Sequence, residues 1–537
     1  MQLPSRRTRI ALLAGCATFA AAAPASAAVT STYSTNPDAT LTVNSDGADA
    51  ITITCDNGLT KVNGLDPVRD PVENPPKATT GCAGPHAIVV NGGPGDNAIN
   101  LAGVTKALFT SLTDTPAVVT VNGGEGIDTV TGTEFSDVVN GGGGDDRLVA
   151  AKGALDTMNG DGGDDTLVWN NGEGSDNMNG GDGTDTIENN GSDSGATANE
   201  VYTAETIPGG YKFSRTSAGP FDLFVSNSER YVNNMFGGDD AFSQNNAVGG
   251  IAITLNAGAG TDNLGGTDGN DVVNGEAGND TLAPGKGNDT MNGGDNDDLM
   301  IWKPGEGSDV MEGGPGNDTA QDNGGAVPEH FIVSPNGARV TATRDTQAPF
   351  FLDIGTTELL DLNTLGGADT VDVNKGLGAM IKVDADLGEG DDIIHARNDS
   401  AQNINGGAGT DSARIDKTDT ITAVEKISGL DRKAPKIKLA AKRLKLKKGT
   451  VAFTVKCPSG EQFCKGTVKV FNAKNKLVGS KKVTVKGGKS KKVTIALKKA
   501  AVKKIKAQGK VKYKVRFSAK DAAGNASALQ KKFTIRA

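Results

Sequence analysis

Aromatic side chains are scarce in this chain: Phe, Tyr and Trp make up only 4 % of its 537 residues. So few large apolar groups cannot fill one wide core, and at this length several domains or a solenoid are expected. Histidine is scarcer still. His86, His330 and His395 are isolated, and the nearest two stand 65 residues apart. No H-E-x-x-H, G-x-S-x-G or G-x-x-x-x-G-K-[ST] sequence occurs, so the common zinc-protease, serine-hydrolase and P-loop signatures are missing. Long apolar runs are missing too. Ile10 to Ala23 is mostly alanine, too short and too weakly apolar for a membrane span, and no transmembrane segment is expected.

Glycine is what the chain has in excess: 74 residues, roughly twice ordinary usage. The glycines fall in a repeat of period nine. From Ala257 the chain reads AGAGTDNLG, GTDGNDVVN, GEAGNDTLA, PGKGNDTMN and GGDNDDLMI. Two extra residues, Trp302 and Lys303, precede PGEGSDVME and GGPGNDTAQ. Each unit has glycines first, an aspartate sixth and usually an aliphatic residue eighth. The sixth-position aspartates here are Asp262, Asp271, Asp280, Asp289, Asp298, Asp309 and Asp318. An earlier array from Gly123 to Glu188 places Asp128, Asp137, Asp146, Asp156, Asp165, Asp176 and Asp185 in the same way. A third, decayed array keeps Asp392 and Asp411.

The period has a physical reading. Glycine supplies the positive-φ turns that other residues resist. Residues seven to nine suffice for a short strand, and the eighth points inward. No unit can bury that residue alone, so the units must stack. Stacked strands lie about 4.8 Å apart, so the aspartates form columns of negative charge. A hard cation with oxygen ligands would neutralise such columns, and turn carbonyls freed by the glycines can complete its shell. An EF-hand is excluded, because glycine at this density forbids its flanking helices. Adjacent carboxylates such as Asp145-Asp146 recur from array to array, which argues for ligation and turn capping over an acid/base pair.

These units resemble the G-G-x-G-x-D-x-U-x nonapeptide of RTX (haemolysin-type) calcium-binding proteins. The resemblance implies a parallel β-roll with two nonapeptides per coil and several Ca²⁺ ions held between turns two units apart. Asp262 would then share an ion with Asp280, and Asp271 with Asp289. All sixteen aspartates named above are the expected metal ligands. No catalytic residue is expected.

The arrays are duplicated. Asp164 to Trp169 matches Asp297 to Trp302 at an offset of 133 residues. The spacers match too, Phe221 to Phe242 against Phe350 to Val371. They read as wider solenoid coils, with antiparallel β layers as the rival. The expected order is a signal peptide (1–27), an N-terminal β cap with first solenoid coils (28–121), array 1 (122–190), a β spacer (191–251), array 2 (252–322), a second spacer (323–382), decayed array 3 (383–431) and a basic domain (432–537). Alternating strands in the last, at 450–455, 467–471, 491–497, 510–517 and 531–535, suggest a β-sandwich. It resembles bacterial immunoglobulin-like modules through a D-x-x-G-N turn at Asp521 to Asn525. The expected fold is therefore all-β: a β-roll followed by an Ig-like sandwich.

The net charge of −10 hides an asymmetry. Residues 432–537 hold 33 Lys and Arg against Glu461 and Asp521, leaving 22 basic and 63 acidic residues before them. Such a basic domain is a solvated surface, a dock for the protein's own acidic solenoid, or a site for an anionic cell-wall polymer, polysaccharide or lipid headgroup. Nucleic acid is not expected, since no aromatic interleaving accompanies the charge. Arg6, Arg7 and Arg9, the apolar stretch and Ala25-Ser26-Ala27 read as a secretory signal. The rivals are lipidation at Cys16, in Leu-Ala-Gly-Cys, and twin-arginine export. The other cysteines pair by sequence as Cys55 with Cys82 and Cys457 with Cys464, one of three connectivities. The expected role is a secreted, calcium-dependent binding or adhesive surface component, not an enzyme. A secreted polysaccharide-active enzyme that needs calcium only for folding is the alternative.

Overall fold

The computed structural model describes residues 28–537 except 35–38, 70–79, 193–198, 429–434, 442–443, 460–462, 521–525 and the single positions 154, 218, 347, 379, 397, 399 and 417. The expected signal peptide with Cys16 and the D-x-x-G-N turn lie outside the described residues. So do residues 432–434, at the start of the expected basic domain, and residues 70–79, between Cys55 and Cys82. The chain divides into two compact units, residues up to 300 with 314–316, and 301–313 with 317–537.

The first unit begins with two antiparallel pairs, Thr30–Ser34 with Thr40–Asn44 and Ala50–Asp56 with Leu59–Val62. The Cys55–Cys82 disulfide ties the second pair to the loop beyond it. Coils follow, each contributing one strand to each of two parallel sheets. One sheet runs through Ala87–Pro94, Val119–Glu125, Asp137–Gly143, Thr157–Gly162 and Asp176–Asp182. The facing sheet runs through Ala98–Asn100, Thr129–Thr131, Arg147–Val149, Thr166–Asn170 and Thr186–Asn190. In the second array the register is two nonapeptides: Leu264 lies beside Leu282, and Val273 beside Met291. The eighth residues fill the space between the sheets. Val139, Leu148, Met158, Leu167, Met178 and Ile187 are all at most 1 % exposed. Each such side chain contributes ~1.5–3 kcal/mol by burial, but only when its neighbouring coil is in place.

Ninth-position asparagines add a second cohesive device. Asn91, Asn122, Asn140 and Asn159 each donate a side-chain amide to the asparagine one coil earlier, at 2.7–2.8 Å. A matching ladder joins Asn234, Asn256, Asn274 and Asn292. Each rung satisfies a half-buried amide and fixes the register.

The spacer differs from the expected run of wide coils. Val201–Ile207, Gly210–Arg215 and Phe221–Ser226 form an antiparallel meander, closed at Pro208-Gly209 where Gly209 takes φ +89°. Its outer strands rejoin the parallel stack, on Asp176–Asp182 and on Ala241–Gln244. The rival antiparallel reading therefore holds for the first part of the spacer and the coil reading for the rest. The spacer's aromatics explain the choice: Phe213 stacks on Tyr231 at 3.7 Å, and Trp169 on Phe221 at 3.8 Å.

The second unit repeats the plan. His330–Asn336, Arg339–Arg344 and Phe350–Gly355 form its meander. Parallel coils then continue through Leu359–Asn363, Lys382–Asp386, Asn403–Asn405 and Thr420–Thr422 on one side. Thr370–Val373, Ile393–Ala396, Ser412–Ile415 and Lys426–Ser428 form the other. Beyond residue 435 the unit has a three-stranded and a five-stranded sheet over a shared core that includes Phe453, Val468, Val515 and Phe517. The Cys457–Cys464 disulfide lies in this part. Two elements were not expected. Leu477–Lys486 is a strand, and Lys499–Gln508 is a helix that buries Ala501 and Ile505 and ends at Gly509. Alanine and lysine are strong helix formers, and residues four apart share one helix face.

Candidate metal centre

The turns between strands bring the sixth-position aspartates into columns. In most of them Oδ1 accepts the backbone N–H of the aspartate one coil earlier, while Asp128 accepts from Asn97 N–H and Asp271 from Ile253 N–H. Asp146 accepts from Asp128 at 2.7 Å, Asp165 from Asp146 at 2.8 Å and Asp185 from Asp165 at 2.8 Å. On the opposite edge Asp156 accepts from Asp137 at 2.7 Å and Asp176 from Asp156 at 2.9 Å. In the second array Asp280 accepts from Asp262 at 2.9 Å, Asp298 from Asp280 at 2.9 Å and Asp289 from Asp271 at 2.8 Å. In the third, Asp392 accepts from Asp369 at 2.8 Å and Asp411 from Asp392 at 2.9 Å. Asp309 and Asp318 are buried in the second unit, and there Asp318 N–H donates to Glu358 at 2.9 Å.

The second carboxylate oxygen is the informative one. Oδ2 of Asp128, Asp146, Asp156, Asp165, Asp176, Asp185, Asp262, Asp280, Asp392 and Asp411 is buried with no hydrogen-bond donor. A buried carboxylate oxygen in that state needs a proton or a cation. Asp137 and Asp271 differ, because Thr133 and Thr267 N–H and hydroxyl groups bond their carboxylates. The glycine opening each unit makes room for the oxygen. A Cβ on Gly275 would lie 2.5 Å from Asp280 Oδ2 and 2.6 Å from Gly293 O, so a carboxylate and the next coil's carbonyl face the same glycine.

The electrostatics agree. Burial pushes Asp146, Asp176 and Asp262 up to about 7, Asp165 up to about 6 and Asp156 up to about 9. Asp137 rises to about 7 for the same first reason, against its Thr133 hydrogen bonds. Asp128, Asp185, Asp271, Asp280 and Asp392 are also raised by burial. Neighbouring carboxylates add to this, as Asp128 and Asp165 do for Asp146. Among the described residues no group of three His, Cys, Asp or Glu side chains is placed to hold a metal ion by itself. A cation here would therefore take carboxylates from successive coils plus backbone carbonyls, an all-oxygen set that suits a hard ion.

The columns extend further than the repeats suggest. Asp240 accepts from Glu200 N–H at 2.7 Å and donates its own N–H to Asp262 at 2.6 Å. Asp369 accepts from Glu329 N–H at 2.8 Å. Burial raises both to about 6, and both have a buried Oδ2 without a donor. Glu229 and Glu425 end columns by accepting from Asp185 and Asp411. Gly237-Gly238 and Gly366-Gly367 just ahead of Asp240 and Asp369 were the available signal.

The expectation that the histidines are isolated is corrected. His330 Nε2 lies 3.2 Å and His395 Nδ1 2.6 Å from the Asp372 carboxylate, and His330 Nδ1 is 3.0 Å from Asp345. Parallel coils place distant residues side by side. Burial works to raise Asp372, but the hydrogen bonds with His395 and His330 outweigh it and hold its carboxyl below the usual range.

No curated protein matches the chain. Four stretches, residues 122–154, 256–291, 285–301 and 305–326, match the RTX calcium-binding nonapeptide repeat. Ten of the sixteen expected ligands fall in them, and Asp156, Asp165, Asp176, Asp185, Asp392 and Asp411 fall outside. The chain is a repeat protein carrying four matched copies of the RTX calcium-binding nonapeptide, and calcium is the ion that repeat binds.

Proposed function

We propose that this is an exported protein whose solenoid folds on calcium and whose basic C-terminal domain, an immunoglobulin-like sandwich, attaches it to anionic polymer outside the cell. The observation that carries the calcium part is the column of buried Asp Oδ2 atoms without donors. The sixteen sixth-position aspartates, joined by Asp240 and Asp369, would hold the ions together with turn carbonyls. Calcium supplies positive charge there and nothing more. The two disulfides support export, since such bonds persist in oxidising compartments. The charge of residues 432–537 supports attachment to a polyanion.

Circular dichroism in chelator and in millimolar calcium tests the reading. Extracellular calcium modules typically fill at roughly 10⁻⁴–10⁻³ M, and β signal should rise cooperatively in that range. Equilibrium dialysis should count several ions per chain. A spectrum unchanged by chelator would overturn it.

A further inference from the structure

We infer that the outward face of the five-stranded C-terminal sheet is a binding surface for an acidic polysaccharide; this rests on the polyanion reading above and gives it a place and a ligand class. Lys510–Lys520 alternates strictly. Tyr513, Val515 and Phe517 are buried, while Lys512, Lys514 and Arg516 stand outward. The neighbouring strands continue the pattern: Lys514 pairs with Lys532, Arg516 with Lys469, and Lys520 with Lys465. Cations therefore recur about 4.8 Å apart across strands and about 6.8 Å apart along them. They sit on a hydrogen-bonded sheet, so little backbone ordering opposes binding. The whole domain, residues 432–537, carries only two acidic side chains, Glu461 and Asp521, against 33 Lys and Arg. Like charges held this close repel, and an anionic strand laid across them relieves that.

The rest of the face narrows the class. Thr467, Ser518, Gln530 and Thr534 stand in register between the cations. Hydroxyl and amide groups interleaved with ammonium groups match a chain that alternates hydroxyls with anions. Phe463 and Phe471 lie on the cationic side of their strand but are half-buried, and no described ring of the domain is fully exposed, so the face offers neither an open base-stacking platform nor a protruding wedge for acyl chains.

The test uses calcium-loaded full-length protein with hyaluronan, polyphosphate and neutral dextran as probes. Hyaluronan should bind, dextran should not, and affinity should fall steeply with salt. Lys512→Glu with Lys514→Glu and Arg516→Glu should weaken hyaluronan binding at least about tenfold, and the corresponding Gln set should weaken it less but clearly. Lys499→Glu with Lys503→Glu and Lys506→Glu makes the same charge change on the helix and should weaken it by no more than about threefold. Thr467→Val with Thr534→Val should weaken hyaluronan about fivefold and leave polyphosphate unaffected. If no polyanion binds, the attachment reading itself fails. If the helix set weakens binding as much as the sheet set, the face is wrong. If polyphosphate binds and hyaluronan does not, or the Val pair changes neither, the polysaccharide assignment is overturned.

Discussion

Asp280→Asn separates the two tasks of a column aspartate. Asp280 Oδ1 accepts the Asp262 N–H, and its Oδ2 is buried without a donor. Asparagine keeps an oxygen for that N–H and removes the charge. Without calcium the charge is a burden. Burial raises Asp280, and burial together with the Asp280 charge helps raise Asp262 from 3.8 to about 7. Ionising Asp262 at about pH 8 therefore opposes folding by up to ~4 kcal/mol, of which burial is the larger part. Relief of the repulsion and of Asp280's own desolvation should stabilise the calcium-free array by about 1–2 kcal/mol. With calcium the sign reverses. Ions on both sides lose an anionic ligand, and the calcium midpoint should rise at least about tenfold. Asp280→Ala should lose on both counts, because the Asp262 N–H is then buried unpaired. The assay is dichroism: calcium titration for the midpoint, and titration of chelated protein with an excluded osmolyte for the metal-free fold. Asn should need less osmolyte than the parent and Ala more. An Asn variant with the parental calcium midpoint would refute ligation by Asp280. Asn and Ala variants that behave alike in chelator would refute the part given to Oδ1.

Acid should partly replace calcium. Asp146, Asp176 and Asp156 bind protons more tightly folded than unfolded, so their contribution is full below about pH 4 and is lost as pH rises through about 7–9. Chelated protein should gain β signal between about pH 8 and pH 4, the calcium midpoint should rise on acidification, and a flat dichroism profile in chelator would count against the columns. Gly275→Ala should destabilise the calcium-loaded protein by about 2–4 kcal/mol in thermal melts, because its Cβ meets Asp280 Oδ2 and Gly293 O. Arg344→Met should cost about 3–5 kcal/mol by leaving Glu329 buried and unpaired, and adding Glu329→Gln should recover part of that in the same melts.

The repeat was legible because its parts have single physical meanings. Asp at the sixth place and an aliphatic at the eighth can serve only a stack of short strands, and two-unit pairing such as Val273 beside Met291 follows. Ninth-position asparagines were equally regular, yet a ladder needs the register before it can be seen. Asp240 and Asp369 were hidden in the aromatic-rich spacers, where the period lapses. The approach of His330 and His395 to Asp372 was not legible, because His330 opens the meander, whose remaining strands separate it in sequence from the coils that carry Asp372 and His395. The helix Lys499–Gln508 was masked by composition, since lysine and alanine repeat there much as in the flanking strands.

The spacers show the same buried-carboxylate problem solved without an ion. Glu200 donates its N–H to Asp240 as an array aspartate would, and its side chain is 3 % exposed. Its carboxylate meets the Arg215 guanidinium at 2.5 Å and the Tyr202 hydroxyl at 2.7 Å. Arg215 in turn lies over Trp169 and Phe221 and donates to the Gly219 carbonyl. The second unit repeats this, with Arg344 on Glu329 and over Phe350 at an offset of 129 residues, and over Trp302 at an offset of 133. A guanidinium on the chain is always present, so a carboxylate paired with it is settled whatever the medium holds. An aspartate Oδ2 with no donor is settled only where a cation or proton is supplied. Under the calcium-folding proposal, this alternation predicts arrays that are conditional on calcium and meanders whose buried carboxylates are settled without it. It also accounts for where the aromatic residues of an aromatic-poor chain are placed: Trp169, Trp302, Phe221 and Phe350 pack against the arginines that stand in for the ion.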